Sequence, residues 1–512
     1  MVDRYGDFDL RRSSSHPEET QRLQRDLHEL GFRLVGEPSG TFGRLTYWAL
    51  REFQIYAAMD QVAKEDAAQE TVYADRLSAV PTGAQRYDGP ISGVANAGTR
   101  AALEHWLDSR WRCPVVVEAW SMKNRQRHGV TNGNLWRHDD LASNAPRMYA
   151  RDLSGYYGPA VQGDADDRIV VGDYTKFSAW GGPRSVPPSH TVPQGELLPE
   201  ALLGRPLDQL GAAERSTFKV IRAVSEVECL GYFDSVNSYD NAFVSVGPCH
   251  WTLGIASGDR NVSDGELCGY LAYLRHADAG AFDKAVGFFG ARVDEDWGAD
   301  GAALYNRSQR KYAGWVALQQ EDGNFGRIPE REGDGDYFKT WHWFYRFVMA
   351  GRGVPGYRRR MWDMARMRLR DLQDLPWPDG GRLGDIFTSE KALAMVLRWH
   401  IRFPGHVAAG GRAGNRMTGA VQQARSRQPA LGWDGAPAGW TDAHEAALID
   451  ALLAGSQQAG GGLPKTIAQV DAWPAWAGGS NRRGYTLDPT IGSLSRARGS
   501  LQFDTANLPP AP

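Results

Sequence analysis

The stretch "SEVECLGYFDSVNSYDNAFVSVGPCHW", residues 225–251, decides how the larger part of this chain is read. It gathers two glutamates, two aspartates, two cysteines and a histidine among aromatics and glycines. The residues leading into it, "AAERSTFKVIRAVSEVECLG", have helical periodicity. At about 100° per residue, Thr217, Val220, Ile221, Val224, Val227, Glu228 and Gly231 share one side, whereas Glu226 lies nearly opposite Val224. The two glutamates are therefore expected to differ. Glu226 belongs on a solvated surface; Glu228 falls in the buried stripe at the C-terminal end of the helix. There a carboxyl group loses solvation and meets the negative end of the helix dipole, and both effects favour the protonated form that a general acid needs. Downstream, "YFDSVNSYDNAFVSVG" alternates around Asn237-Ser238 and Asp240-Asn241, which predicts a hairpin or small sheet beside the helix end. Such a turn can return a second carboxylate, Asp234 or Asp240, to face the first. Each residue also has a structural reading: Glu228 as a buried hydrogen-bond partner, Asp234 as a structural carboxylate, Asp240 as an Asx-turn residue beside Asn241, and His250 as a packing histidine next to Trp251.

A helix ending in Glu, then a polar β-turn carrying Asp, then a hydroxyl residue resembles the active-site layout of the lysozyme-like superfamily, which includes phage muramidases and chitosanases. The resemblance implies that Glu228 is the acid. Asp240 would be the aspartate that orients water or stabilises oxocarbenium charge, and Ser245 would take the position often held by Thr. Candidate sugar contacts beside them are Tyr239, Asn241, His250 and Trp251. The sequence departs from the pattern in two places. Cys229-Leu230 separates Glu228 from Gly231, and "GPCHW" stands where a plainer glycine strand is usual. The choice between Asp234 and Asp240 stays open. A carboxyl separation of about 5 to 5.5 Å would imply retention of configuration, and one of about 6.5 to 9.5 Å inversion.

Nearer the N-terminus, Ser15, Pro17 and Glu18 signal a helix start, and Leu23, Leu27 and Leu30 follow at helical spacing before Gly31. "SGTFGRLTYWALREFQ" (39–54) is a glycine turn, a threonine at a helix start, and an apolar face of Ala49, Leu50 and Phe53. "GPISGVANAGTRAALEHW" (89–106) repeats that order with Ala102, Leu103 and Trp106. "LQRDLHELGF", "GTFGRLTYWALREFQ" and "GTRAAL" together resemble the peptidoglycan-binding domain of bacterial and phage wall hydrolases, a small three-helix module. The resemblance covers residues 15–108, broken by a polar insertion near 58–86. It implies a shallow groove for muropeptide or glycan near Gly40, Phe42, Arg44 and Thr46. The alternative is that these four only shape the turn and start the helix.

Composition limits the other possibilities. A chain of 512 residues, 42% hydrophobic and 23% charged, is ordinary globular material long enough for two to four domains. A net charge of −3 argues against nucleic acid as the main partner. No apolar run suits a signal peptide or a membrane span. The four cysteines lack the spacing of a disulfide framework or a zinc site, H-E-x-x-H is absent, and the twelve histidines show no ligand spacing, so no metal or other cofactor is expected. A Cys–His peptidase fits poorly: Cys249 and His250 would point to opposite faces of a strand, and Cys229 sits where the helix dipole disfavours a thiolate. The run Arg358, Arg359 and Arg360 reads as a solvated face or as a contact for acidic wall polymer.

The expected fold is α+β and multidomain. Residues 1–14 form a flexible start, 15–108 the peptidoglycan-binding domain, 109–205 a β-rich connector ending in the proline-rich "PRSVPPSHTVPQGELLP", 206–456 a mainly α lysozyme-like domain with a small β-hairpin, and 457–512 a Gly/Pro-rich region of lower order. The expected function is cleavage of β-1,4 glycosidic bonds in peptidoglycan, with glycan strands or muropeptide stems as partners. Without a visible export signal, delivery would be by holin, by a phage or injection particle, or by lysis. Two rival readings stand: a non-catalytic wall-binding component of such a particle, and a stem-peptide peptidase or amidase.

Overall fold

The computed structural model describes residues 4–64, 78–114, 116–120, 127–131, 147–151, 154–157, 169–171, 202–229, 233–234, 236–237, 244–253, 266–293, 305–306, 309–310, 316–327, 337–338, 340–377, 381–407, 416–458, 463–474 and 491–509. It is a mixture of helix and sheet.

Leu23 and Leu27 are buried from helix α1 (Pro17–Glu29), with Leu30 just beyond it. The helix does not start on Ser15 as its capping pattern suggests. Its N-cap is His16, which makes no side-chain cap bond and stacks on Phe8 at 3.7 Å. Helix α2 (Arg44–Ala57) and helix α3 (Ala97–Asp108), capped by Asn96, complete the N-terminal helical part. Phe32 packs against Phe53 and Trp106 at their centre, with ring centroids 5.6 and 6.1 Å away.

The turn-plus-helix repeat has a physical basis in two glutamines. Gln24 Oε1 accepts from the amides of Ser39 and Gly40 at 2.8 and 2.9 Å. Its Nε2 donates to the Thr41 carbonyl and to Thr46 Oγ1, both at 2.9 Å. Gln54 does the same in the second copy. Its Oε1 accepts from Gly93 N at 2.8 Å, and its Nε2 donates to the Val94 carbonyl at 2.9 Å and to Thr99 Oγ1 at 3.0 Å. One buried amide side chain thus fastens a left-handed glycine turn (φ +76° at Gly40, +71° at Gly93) to the threonine of the following helix. A side chain at Gly93 would also meet the Tyr47 ring at 2.4 Å. Part of the 58–86 insertion forms strands β1 (Gln61–Lys64) and β2 (Ser78–Ala79), and β1 pairs antiparallel with both β2 and β3 (Trp111–Arg112).

Residues 109–205 contain a four-stranded antiparallel sheet, β4 (Val116–Trp120), β5 (Arg127–Thr131), β6 (Arg147–Arg151) and β7 (Ile169–Val171), in the order β5-β4-β6-β7. Beyond it, helix α4 (Ala212–Cys229) leads to an antiparallel meander of β8 (Val236–Asn237), β9 (Val244–Val246) and β10 (Trp251–Leu253). Helix α5 (Glu266–Ala277) follows, then a sheet of β11 (Ala291–Val293), β12 (Val316–Gln319) and β13 (Phe325–Arg327). Helices α6 (Trp341–Gly353), α7 (Pro355–Gln373), α8 (Glu390–Arg402), α9 (Arg416–Arg427) and α10 (Asp442–Gln457) make up the helical body.

Three expectations are corrected. Glu226 is fully buried rather than solvated, and its carboxylate takes the Arg222 guanidinium at 2.8 Å one turn back. Helix α4 is covered on more than one side, so a single buried stripe is the wrong description of it. The sequence pattern of Asp442 and Glu445 suggests a capping box at the start of helix α10; a box is present, but Thr441 and His444 form it. Glu445 is instead fully buried, accepts from the amides of Thr388 and Ser389, and pairs with Arg498 at 2.7 Å. Finally, the C-terminal residues 491–509 are firmly placed despite their composition. The Asp504 amide donates to Thr217 Oγ1 at 2.7 Å, the Asp504 carboxylate takes Arg366 at 2.8 Å, and the Pro509 carbonyl accepts from Arg370. This strap ties α4 to α7. Arg358, Arg359 and Arg360 are likewise committed, to the carbonyls of Gly351 and Arg352, to the Leu202 carbonyl, and to Asp363. Among the described residues no helix is long and apolar enough to cross a membrane.

The N-terminal part docks on the helical body through a buried polar cluster. Glu52 of α2 binds the Arg346 guanidinium of α6 with both oxygens, accepts from Tyr337 Oη at 2.6 Å, and lies 3.3 Å from His342 Nδ1. Burial opposes the Glu52 charge, but Arg346 and His342 outweigh it and hold the carboxyl below its usual range. Burial drives His342 down to about 4.

Two predictions follow from these packings. Replacing Gln54 by Leu strands the Gly93 amide and the Val94 carbonyl and should cost about 1–3 kcal/mol in urea unfolding; an unchanged midpoint would refute the clamp. Because His342 titrates lower folded than unfolded, the unfolded chain binds more protons between about 4 and 6.5. Its contribution is therefore complete above pH 6.5 and is lost as pH falls towards 4. His342→Gln should flatten the loss of stability in that window, measured as the urea midpoint against pH.

Candidate active site

Glu228 occupies the last turn of α4, with its side chain 10% exposed, so it sits at the margin of the core rather than inside it. Two other elements converge on it. Arg398 of α8 places Nη1 against Oε1, and His250, in the turn before β10, places Nδ1 3.8 Å from Oε2. His250 has a left-handed backbone, φ +54°, closed by its amide donating to the Gly247 carbonyl at 3.0 Å. A non-glycine residue in that region is strained and persists where the surroundings demand it. Here the turn is what aims the imidazole at the helix end. Neither reading of His250 from the sequence, as a packing residue or as a sugar contact, anticipates this placement, because the direction of the ring depends on backbone sign rather than on neighbours.

Arg398 is the functional candidate that the sequence reading did not single out. The segment "SEKALAMVLRWHIRF" scans as an amphipathic helix, and Arg398 lies within it between the buried Leu397 and Trp399. An arginine in a buried run needs a carboxylate, and that need is the signal available in the sequence. Close by, Arg368 of α7 binds Glu266 at the start of α5 at 3.0 Å and the His400 carbonyl at 3.2 Å.

The other candidates separate into three groups. Asp240, Tyr239 and Asn241 lie outside the described residues, between β8 and β9 in the chain. Asp234 accepts from Arg352 Nε at 2.5 Å, and its backbone is so close to Gly351 that a side chain there would fall 2.6 Å from the Asp234 Cα. That carboxylate is committed to fastening α6 to the strand that follows. Ser245, on β9 opposite Asn237 and Thr252, is buried, and among the described residues its hydroxyl has no hydrogen-bond partner. Trp251 is fully buried and stacks on Tyr270 at 5.4 Å, so its ring offers no face to a sugar. Cys249 is a free, buried thiol that burial pushes up to about 12. It is no thiolate nucleophile at neutral pH.

In the N-terminal part, Phe42 and Thr46 are buried and serve the glycine turn, whereas Gly40 and Arg44 remain partly exposed. Arg44 lies over the Trp48 ring at 5.7 Å. Among the described residues, no group of three or more His, Cys, Asp and Glu side chains is placed to hold a metal ion.

A family model described as a putative peptidoglycan binding domain matches residues 16–59, which supports peptidoglycan binding by this part of the chain. The match spans α1, the first glycine turn and α2; the second turn, at Gly93, lies beyond it. No curated protein and no solved structure matches the chain.

Asp234 and Glu228 should lose comparable stability when their arginines are removed, because the two pairs are equally enclosed. Arg352→Met should destabilise the fold, at the lower end of the about 3–5 kcal/mol typical for breaking a buried pair, because both partners keep slight exposure. Arg398→Met should leave wall binding intact. Thermal unfolding and sacculus co-sedimentation of the two variants make the comparison.

Proposed function

We propose that the chain is a wall-degrading glycoside hydrolase in which residues 16–59 contribute peptidoglycan binding and Glu228 protonates the leaving oxygen of a β-1,4 glycosidic bond. The observation that carries this reading is a carboxyl group at the end of a helix, partly exposed, with a three-stranded meander immediately after it, Arg398 against one oxygen and the His250 ring 3.8 Å from the other. Once Glu228 has given up its proton it is a carboxylate. Arg398 is already in place to stabilise that charge as it develops, without reorganisation during the step. His250 stands 3.8 Å from the other oxygen. Asp240 is the second carboxylate of the proposal, since Asp234 is held by Arg352. The lysozyme-like character of this lobe, action on the cell wall as an endolysin would act, and delivery through a phage or injection particle belong to the same proposal.

One observation favours a second reading. Glu228 stands against an arginine, as the purely structural carboxylates elsewhere in the chain do, which suits a protein that grips the wall without cutting it. A thiol peptidase gains nothing from the buried Cys249.

Glu228→Gln separates the two. Under the hydrolase reading, reducing-sugar release from purified sacculi should fall about 10²–10⁴-fold while co-sedimentation with sacculi is unchanged. Native protein that binds sacculi and releases neither reducing sugar nor free amine would establish the gripping role. Free amine without reducing sugar would establish a peptidase or amidase.

A further inference from the structure

Helix α2 lies within the stretch matched to peptidoglycan binding, and every one of its residues from Thr46 to Ala57 is buried. Its own module accounts for only part of that burial, through Phe53 against Phe32 and Trp106 and through Gln54 on the second glycine turn. The rest is supplied by the helical body. Glu52 is held by Arg346, Tyr337 and His342, and Tyr56 Oη lies 3.1 Å from His342 Nδ1. Arg51 donates to the Gln319 carbonyl on β12, and Trp48 packs on Tyr337 at 5.9 Å. A second contact sits beside the Gly93 turn, where the Ile91 amide donates to Gln319 Oε1 at 2.7 Å.

These contacts do not suit a domain that swings on a linker. Glu52, Arg51 and Arg346 are all fully buried, and undocking would separate a desolvated carboxylate from its guanidinium. A buried pair of this kind adds little net stability against an apolar alternative, but it fixes one arrangement, because a shifted interface leaves a charge unpaired. The Glu52–Arg346 pair therefore sets register. A flexible linker would give the binding module an effective concentration near the millimolar range over many geometries, whereas a rigid dock permits one geometry only.

We propose that the peptidoglycan-binding module is a fixed part of the body that carries Glu228. Wall polymer held by the module then stands at a constant distance and angle from the candidate site, and cuts fall at a set spacing along a glycan strand from the bound position. The preferred substrate is a strand long enough to reach both. The spacing rests on the hydrolase reading; the fixed docking does not.

Hydrogen exchange on the full chain tests the docking. Amides of residues 46–57 and of 346–350 should open together, with protection equal to within about tenfold, and calorimetry should give one transition for both. Fast exchange in 46–57 while 346–350 stay protected, or a separate early transition of the N-terminal part, would overturn it. Tyr337→Phe, which removes one bond to Glu52 and keeps the ring, should lower protection in both segments equally; loss confined to 46–57 counts against the proposal. Digestion of long uncross-linked glycan strands tests the spacing. Products clustered at one length are expected, and a random length distribution refutes a set spacing. Shared protection with no cleavage at all would leave the docking standing and overturn the spacing together with the hydrolase reading.

Discussion

A carboxylate removed from water has to take a cation with it, and this constraint organises the chain more than any single motif does. Glu52 meets Arg346, Glu226 meets Arg222, Glu228 meets Arg398, Glu445 meets Arg498, Asp234 meets Arg352, and Asp504 meets Arg366. Apart from the pair inside α4, each joins elements far apart in sequence. The N-terminal part is fastened to α6, the start of β8 to α6, the C-terminal strap to α7 and α10, and the candidate acid to α8. Apolar burial supplies the cohesion, but it is non-directional; the pairs decide which surfaces meet and in what register.

Seen this way, the candidate site is a variation on the scaffold rather than a separate device. Glu228 has the same kind of partner as the structural carboxylates. It differs in standing at a helix end and in facing His250 on a strained turn. Glu226, two residues earlier, has neither: it is enclosed and neutralised within its own helix. The contrast between the two glutamates expected from the sequence is reversed in the structure. Solvation was expected to divide them with Glu226 outside; in the structure Glu226 is the more enclosed of the two, because packing on several sides of α4 buries positions beyond one stripe.

Much of the local architecture was legible in the chain. The two glycine turns with a threonine following each pointed to a repeat, and the glutamines of "LQ" and "FQ" turn out to be the atoms that enforce it. The alternation after Glu228 pointed to strands, which form as a meander. Legibility failed where short-range rules compete with distant partners. The N-cap of α1 falls on His16, which makes no cap bond, rather than on Ser15; Glu445 binds a loop and Arg498 instead of a helix start; and a Gly/Pro-rich tail is held by bonds to α4 and α7 that its composition does not announce.

The sequence by itself determined the turn-and-helix repeat, the helix that ends at Glu228 and the strands that follow, because each depends on residues within a few positions of one another. Only the tertiary structure decided that Arg398 and His250 meet Glu228, that Asp234 is already paired, and that α2 has no free face. Those outcomes depend on which charges are brought together when distant surfaces close, and local periodicity carries no information about a partner on another element.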